Sequence, residues 1–124
     1  RNCYNAKNKN RDFVVWGDGN QRRELIYVDD AVDAMFELIE NNNMVFNLGS
    51  GEDNSINEFA EKVCKSYGYA PALIKHDLTK YVGVKAKKID TKKVIKYLDG
   101  KTFLKTSLTD GIKNCVNYFI KNYE

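Results

Sequence analysis

The constraint that most limits how this chain folds is the stretch Val14–Asp30, VVWGDGNQRRELIYVDD. It holds two short apolar runs, Phe13–Trp16 and Leu25–Val28, parted by the polar turn Gly17-Asp18-Gly19-Asn20. Glycine supplies the positive φ that such turns need, and Asn and Asp tolerate it. The runs read as a pair of strands. An Asp pair then stands where a helical pattern begins, as helix starts favour. Trp16 and the Arg22-Arg23 pair flank the turn, setting one flat ring beside two fixed positive forks. That combination suits a ligand carrying an aromatic base and phosphates.

Strand and helix signals alternate downstream. Asp29 or Asp30 caps a helix to about Glu40, striped by Ala31, Ala34, Met35, Leu38 and Ile39, and Asn41-Asn42-Asn43 stops it. Met44–Leu48 is a short apolar run between turn signals, which predicts a buried strand. Ser55 and Glu58 stand at capping-box spacing, ahead of a helix with Ile56, Phe59, Val63 and Tyr67 on one face and Gly68 at its end. Pro71–Ile74 reads as a second strand joined through that helix as a βαβ unit. Ala86–Ile89 reads as another short strand. Asp90 or Thr91 opens a short helix with Val94, Ile95 and Leu98. Ser107 caps a last helix with Leu108, Ile112, Cys115 or Val116, and Phe119 on its apolar stripe. The expectation is one α/β domain, a short mixed sheet with packed helices.

Composition agrees with a globular domain. The 124 residues are 43% hydrophobic and 30% charged, with a net charge of +3. No apolar run approaches the roughly 18 residues of a membrane helix, and no signal-peptide pattern opens the chain. Cys3, Cys64 and Cys115 are odd in number, far apart and without a C-x-x-C or histidine partner, which argues against a metal site. Cys64 and Cys115 fall near apolar stripes and read as buried reduced thiols, pointing to a cytoplasmic protein. Lys75–Lys105 contains ten lysines against Asp77, Asp90 and Asp99. This is first a solvated face, then a funnel for an anionic substrate, with nucleic acid the distant alternative because no nucleic-acid motif accompanies it. The lone His76 has no triad or metal partners in sequence. Asn47-Leu48-Gly49-Ser50-Gly51 lacks the P-loop lysine and reads as a tight turn.

Four segments in order carry a resemblance: the Trp16–Asp30 run, Phe46-Asn47-Leu48-Gly49-Ser50-Gly51, Ser55-Ile56-Asn57-Glu58-Phe59-Ala60, and Asp90-Thr91-Lys92-Lys93 with Thr106-Ser107-Leu108 and Gly111-Ile112. Together they resemble the nucleotide-sugar epimerases and dehydratases of the extended short-chain dehydrogenase/reductase family. Within it they are most similar to the branch that epimerises and reduces GDP-4-keto-6-deoxymannose. The resemblance implies that this chain is the C-terminal substrate-binding domain of a Rossmann-type enzyme, over residues 1–124. It implies that Arg23 holds the diphosphate of a GDP-sugar or related nucleotide sugar, with Trp16 bordering the base. Lys80 is the second phosphate candidate, with Lys85 or Lys87 replacing a later basic residue. Tyr81 departs from the proline usual in relatives.

The family's chemistry also needs an NADP cradle and a Tyr-x-x-x-Lys pair. No G-x-x-G-x-x-G follows a strand, and no Y-x-x-x-K stands in a usable place. The expectation is therefore an N-terminal dinucleotide-binding domain outside this chain, NADP bound there, and an isolated chain that binds nucleotide weakly and turns nothing over. Arg1–Lys9 reads as the tail of a cut helix. The resemblance also implies a homodimeric parent, joined mainly through helices outside this chain. The near alternative is a UDP-sugar 4-epimerase or a dehydratase of the same family.

Overall fold

A computed structural model describes residues 1–39, 44–98 and 103–123. The chain opens with α1 (Asn2–Asn8), β1 (Phe13–Trp16), β2 (Arg22–Glu24) and α2 (Val28–Leu38). There follow β3 (Asp53–Ser55), α3 (Ile56–Tyr67), a single 3-10 turn (Pro71–Leu73), β4 (Ile74–Asp77), β5 (Ala86–Lys87), α4 (Lys92–Tyr97) and α5 (Leu108–Tyr123). The α/β expectation holds, but the strands form two small sheets. β1 pairs in parallel with β4, while β2 lies between antiparallel β3 and parallel β5.

The predicted strand pair does not form. Positive φ at Gly17 and Gly19, and the Asp18 carboxylate accepting from the Asn20 N–H at 2.9 Å, turn the chain away after β1. The free edge of β1 is taken by β4, and the Gly17 N–H donates to the Asp77 carbonyl at 2.8 Å, extending that ladder by one residue. The second strand is Arg22–Glu24 and not Leu25–Val28. Its bounds follow the partners available on both sides, and Val28 already belongs to α2. The strand expected at Pro71–Ile74 begins only at Ile74, because proline and the 3-10 turn occupy the first three positions.

Two hydrophobic centres hold the elements. In the first, Phe13 and Val15, alternating on the inner face of β1, pack with Cys3 and Ala6 of α1, Ala60, Cys64 and Tyr67 of α3, and Ile112 and Val116 of α5. In the second, Ala34 of α2 meets Val94, Leu98 and Phe103. The Ser55/Glu58 capping box forms as the spacing requires, with both reciprocal hydrogen bonds, and Gly68 ends α3 in the left-handed conformation. Ser107 caps α5, its hydroxyl oxygen accepting from the Asp110 N–H at 3.1 Å. On that helix Val116 is buried and Cys115 is exposed, so the thiol expectation holds for Cys64 and fails for Cys115.

Two further expectations change. α2 has no side-chain cap at its N-terminus. Instead Asp30 turns inward and accepts from the Lys105 and Thr106 N–H groups and the Thr106 hydroxyl, tethering the segment before α5. Met44–Leu48 forms no strand, and Val45 is 82% exposed. A strand exists only through ladder partners, and among the described residues none lies beside this run. The Glu40–Asn43 helix stop lies outside the described residues. No described helix is long and apolar enough to cross a membrane.

Candidate functional site

Strand alternation sends Arg22 and Arg23 to opposite faces of the three-stranded sheet, and their surroundings differ in charge. The Arg22 guanidinium donates to the Asp53 carboxylate at 3.0 Å and lies 3.8 Å from Glu58. The Arg22 hydrogen bond holds the Asp53 carboxyl below its ordinary range. Arg22 thus ties β2 to β3 and α3. Among the described residues Arg23 makes no ion pair, and its one side-chain hydrogen bond runs to the neighbouring Arg22 carbonyl at 2.7 Å.

Across the ladder Arg23 faces Asn54 on β3 and Lys87 on β5, so an amide, a guanidinium and an ammonium form one row on one face. The guanidinium also overlies Gly83, within 4.0 Å of where a Cβ there would stand. An unpaired planar fork beside a second cation is an arrangement that binds phosphate oxygens.

Glu24 holds this row in register. One of its carboxylate oxygens accepts from the Gly51 N–H at 2.7 Å and the other from the Ile89 N–H at 2.9 Å. It thereby fastens both the loop before β3 and the end of β5. Gly49 has no side chain because Glu24 and Ile89 fill the space its Cβ would need. Sequence reading missed this role. The signal available was the Arg-Glu pair followed by Gly-Ser-Gly, but the bonds span 27 and 65 residues.

Trp16 closes β1 opposite Asp77 and is 63% exposed, so its ring is not core packing. Lys80 lies in the turn after β4, its N–H donating to the Asp77 carbonyl. The Leu78–Val84 loop then returns across the Gly17 turn, where Val82 packs against Gly17 closely enough to exclude a Cβ. Trp16 and Lys80 thus share the end of the β1/β4 pair, Arg23 and Lys87 share the other sheet, and the loop carrying Lys80 and Lys85 links them. Tyr81-x-x-x-Lys85 has the spacing of a catalytic pair, but the run is an exposed loop turning at Gly83 with φ 70°, not a helix that would set both groups on one face.

Arg23, Lys87, Trp16, Lys80 and Lys85 do not line the cavity of about 810 Å³ bounded by Cys3, Tyr67, Leu25, Tyr27, Ile112 and Phe119. That cavity is apolar and touches the row only at Asn54. The glycine turns are not dinucleotide cradles either. The Asn57 side chain occupies the space over Gly19, donating to the Asp18 carbonyl at 2.9 Å and bonding His76 at 2.8 Å, and Glu24 fills that over Gly49. Neither of these two turns therefore offers the open backbone that a dinucleotide pyrophosphate needs. Among the described residues no three His, Cys, Asp or Glu side chains converge on a metal site.

Residues 1–49 match the NAD dependent epimerase/dehydratase family. The GDP-L-fucose synthase 1 of Arabidopsis thaliana is 35% identical over 125 residues, covering 98% of this chain and 38% of that relative. The NADP-bound GDP-L-fucose synthetase of Naegleria fowleri superposes with a TM-score of 0.90 at 25% identity, covering 98% of this chain and 38% of that one. The UDP-glucose 4-epimerase of Thermotoga maritima, solved with UDP-glucose, superposes at 0.78 with 28% identity, over 94% of this chain and 37% of that one. The chain thus spans less than two fifths of the length of these relatives. The fold is that of the extended short-chain dehydrogenase/reductases. Within them, the chain belongs to the NAD-dependent epimerase/dehydratase family.

Proposed function

We propose that this chain is the nucleotide-sugar-binding C-terminal domain of a GDP-L-fucose synthase-like enzyme, one that epimerises and reduces GDP-4-keto-6-deoxymannose with NADP. The observation that carries the reading is the unpaired Arg23 fork in a row with Lys87 and Asn54. In this reading Arg23 and Lys87 clamp the diphosphate, Lys80 and Lys85 add positive charge from the neighbouring loop, and the exposed Trp16 ring borders the base. The domain's work is orientation: it fixes the sugar against reacting groups carried elsewhere.

The reading places NADP and the catalytic tyrosine and lysine on an N-terminal dinucleotide-binding domain. Support comes from the outer face of α2. Val28, Val32, Met35, Phe36 and Ile39 are all exposed there, and Val45 follows them. Exposed apolar side chains grouped on one helix face mark a surface that packs against another. On this reading the isolated chain binds nucleotide weakly and is inactive, and the parent is a cytoplasmic homodimer. A second reading, a UDP-sugar 4-epimerase, draws on the likeness to the UDP-glucose-bound T. maritima enzyme.

Calorimetric titration of the chain with GDP, UDP and dTDP separates the two readings: preference for GDP supports the first, preference for UDP the second. Arg23→Ala is expected to weaken GDP binding by about 1.5–3 kcal/mol, the worth of hydrogen bonds to a charged group. Arg22→Ala should leave it nearly unchanged. Equal losses from both variants would remove Arg23 from the site.

A further inference from the structure

Two of the three cysteines meet inside the first hydrophobic centre. Cys3 on α1 and Cys64 on α3, 61 residues apart in sequence, bring their sulfur atoms to 4.0 Å, and both are buried. Cys3 forms part of the wall of the 810 Å³ cavity, while Cys64 stands behind it and does not reach the cavity. The third thiol, Cys115, is exposed on α5 and lines the same cavity. None of the three belongs to the nucleotide row.

From this juxtaposition we propose that Cys3 and Cys64 form an oxidisable dithiol, a modification site that reacts with a small hydroperoxide entering through the cavity. In the first step the Cys3 sulfur attacks one peroxide oxygen and the O–O bond breaks. The departing oxygen leaves as alcohol or water, taking the thiol proton, and Cys3 becomes a sulfenic acid. In the second step the Cys64 sulfur attacks the Cys3 sulfur. The hydroxide leaves as water with the Cys64 proton, and the S–S bond forms. The two thiols lose two electrons and the peroxide gains them. The sulfurs must close from 4.0 Å to the bonded distance of about 2.05 Å. Side-chain rotation and a small shift of α1 would provide that closure.

The geometry also orders the two roles. Cys3 meets the cavity, so it is the residue the oxidant reaches, with Lys7 one helical turn away on the same short helix. Cys64 is enclosed and acts second. Burial raises both thiols, that of Cys64 to about 12, so the order of the two roles follows from access to the cavity.

The experiment is peptide mapping of the whole chain after treatment with hydrogen peroxide or tert-butyl hydroperoxide, acid quenching, and alkylation in denaturant. The expected product is a Cys3–Cys64 cross-link with a mass loss of about 2 Da, two hydrogens, reversed by a dithiol reductant. It should form in the wild-type chain and equally in Cys115→Ser, a substitution at an exposed position. The same treatment in urea should give a mixture of all three pairings, because there the fold no longer selects partners. In Cys64→Ser, dimedone should trap the sulfenic acid at Cys3. Oxidation confined to Cys115, with Cys3 and Cys64 both still alkylated, would overturn the proposal. So would a product distribution that is the same in the folded and urea-unfolded chain. Either result needs only the wild-type chain and Cys115→Ser, so it stands even if a substitution at the buried cysteines prevents folding.

Discussion

Glu24 is the residue whose removal should most disturb both the sheet and the candidate site. Its two carboxylate oxygens each accept one backbone N–H, from Gly51 at 2.7 Å and from Ile89 at 2.9 Å. A hydrogen bond to a charged group contributes about 1.5–3 kcal/mol net. The Ile89 bond is exposed and belongs at the low end, so Glu24→Ala should cost roughly 3–4.5 kcal/mol. That is a large share of the 5–15 kcal/mol typical of a domain. Glu24→Gln should be nearly as damaging, because an amide offers one acceptor oxygen to two donors and turns its NH₂ toward the other. Urea unfolding measures the loss as a fall in midpoint at constant slope. Hydrogen exchange should quicken at the Gly51 and Ile89 amides in particular, and GDP affinity should fall with it as Lys87 loses its place beside Arg23. A cost below about 1 kcal/mol for Glu24→Ala, or unchanged exchange at those two amides, would refute the argument that this side chain sets the register.

Two other perturbations test neighbouring parts of the structure. Because the Cys64 thiol is pushed from 9.0 to about 12 by burial, the unfolded chain releases that proton first. The Cys64 contribution to stability should therefore be constant below pH 9.0 and fall as pH rises toward 12, by about 1.4 kcal/mol per pH unit. Comparing alkaline melting of the wild type with Cys64→Ala isolates this slope, and identical slopes would contradict it. Gly19→Ala requires a side chain at φ +72° in space held by Asn57. It should cost roughly 1–3 kcal/mol, from backbone strain and the displaced Asn57 hydrogen bonds. Asn57→Ala should relieve the clash, so the double variant should be less destabilised than the sum of the two single ones.

The parts of the fold legible in the sequence are those whose causes lie within one turn of chain. The capping box at Ser55 and Glu58, the left-handed stop at Gly68 and the Ser107 cap each need only neighbours three or four residues away, and each formed as spacing predicts. The face of α3 followed from periodicity for the same reason. Strand alternation alone is enough to send Arg22 and Arg23 to opposite faces. What alternation could not supply was their partners: Asp53 for Arg22, Lys87 and Asn54 for Arg23, and the double tether of Glu24 all come from pairings tens of residues away.

The misread segments share one physical cause. Leu25–Val28 and Met44–Leu48 have the apolar composition of strands, but composition records only a preference for burial, and a strand also needs a neighbour whose backbone answers its own. β2 forms over Arg22–Glu24, polar residues of modest strand propensity, because β3 and β5 flank it on both edges. Met44–Leu48 has far better propensity, yet it stays outside either sheet with Val45 in solvent. Pairing therefore outweighs propensity at both places. The same comparison ranks the surfaces of the molecule. The Arg23 row carries polar groups with unmet capacity for an anion, while the α2 face, Met44 and Val45 carry exposed apolar area with unmet capacity for protein. A ligand satisfies the first and packing satisfies the second, so the two surfaces should respond to different perturbations. Added salt should weaken nucleotide binding at Arg23, where charge acts across exposed solvent. It should leave any self-association through Phe36 and Ile39 unchanged or stronger.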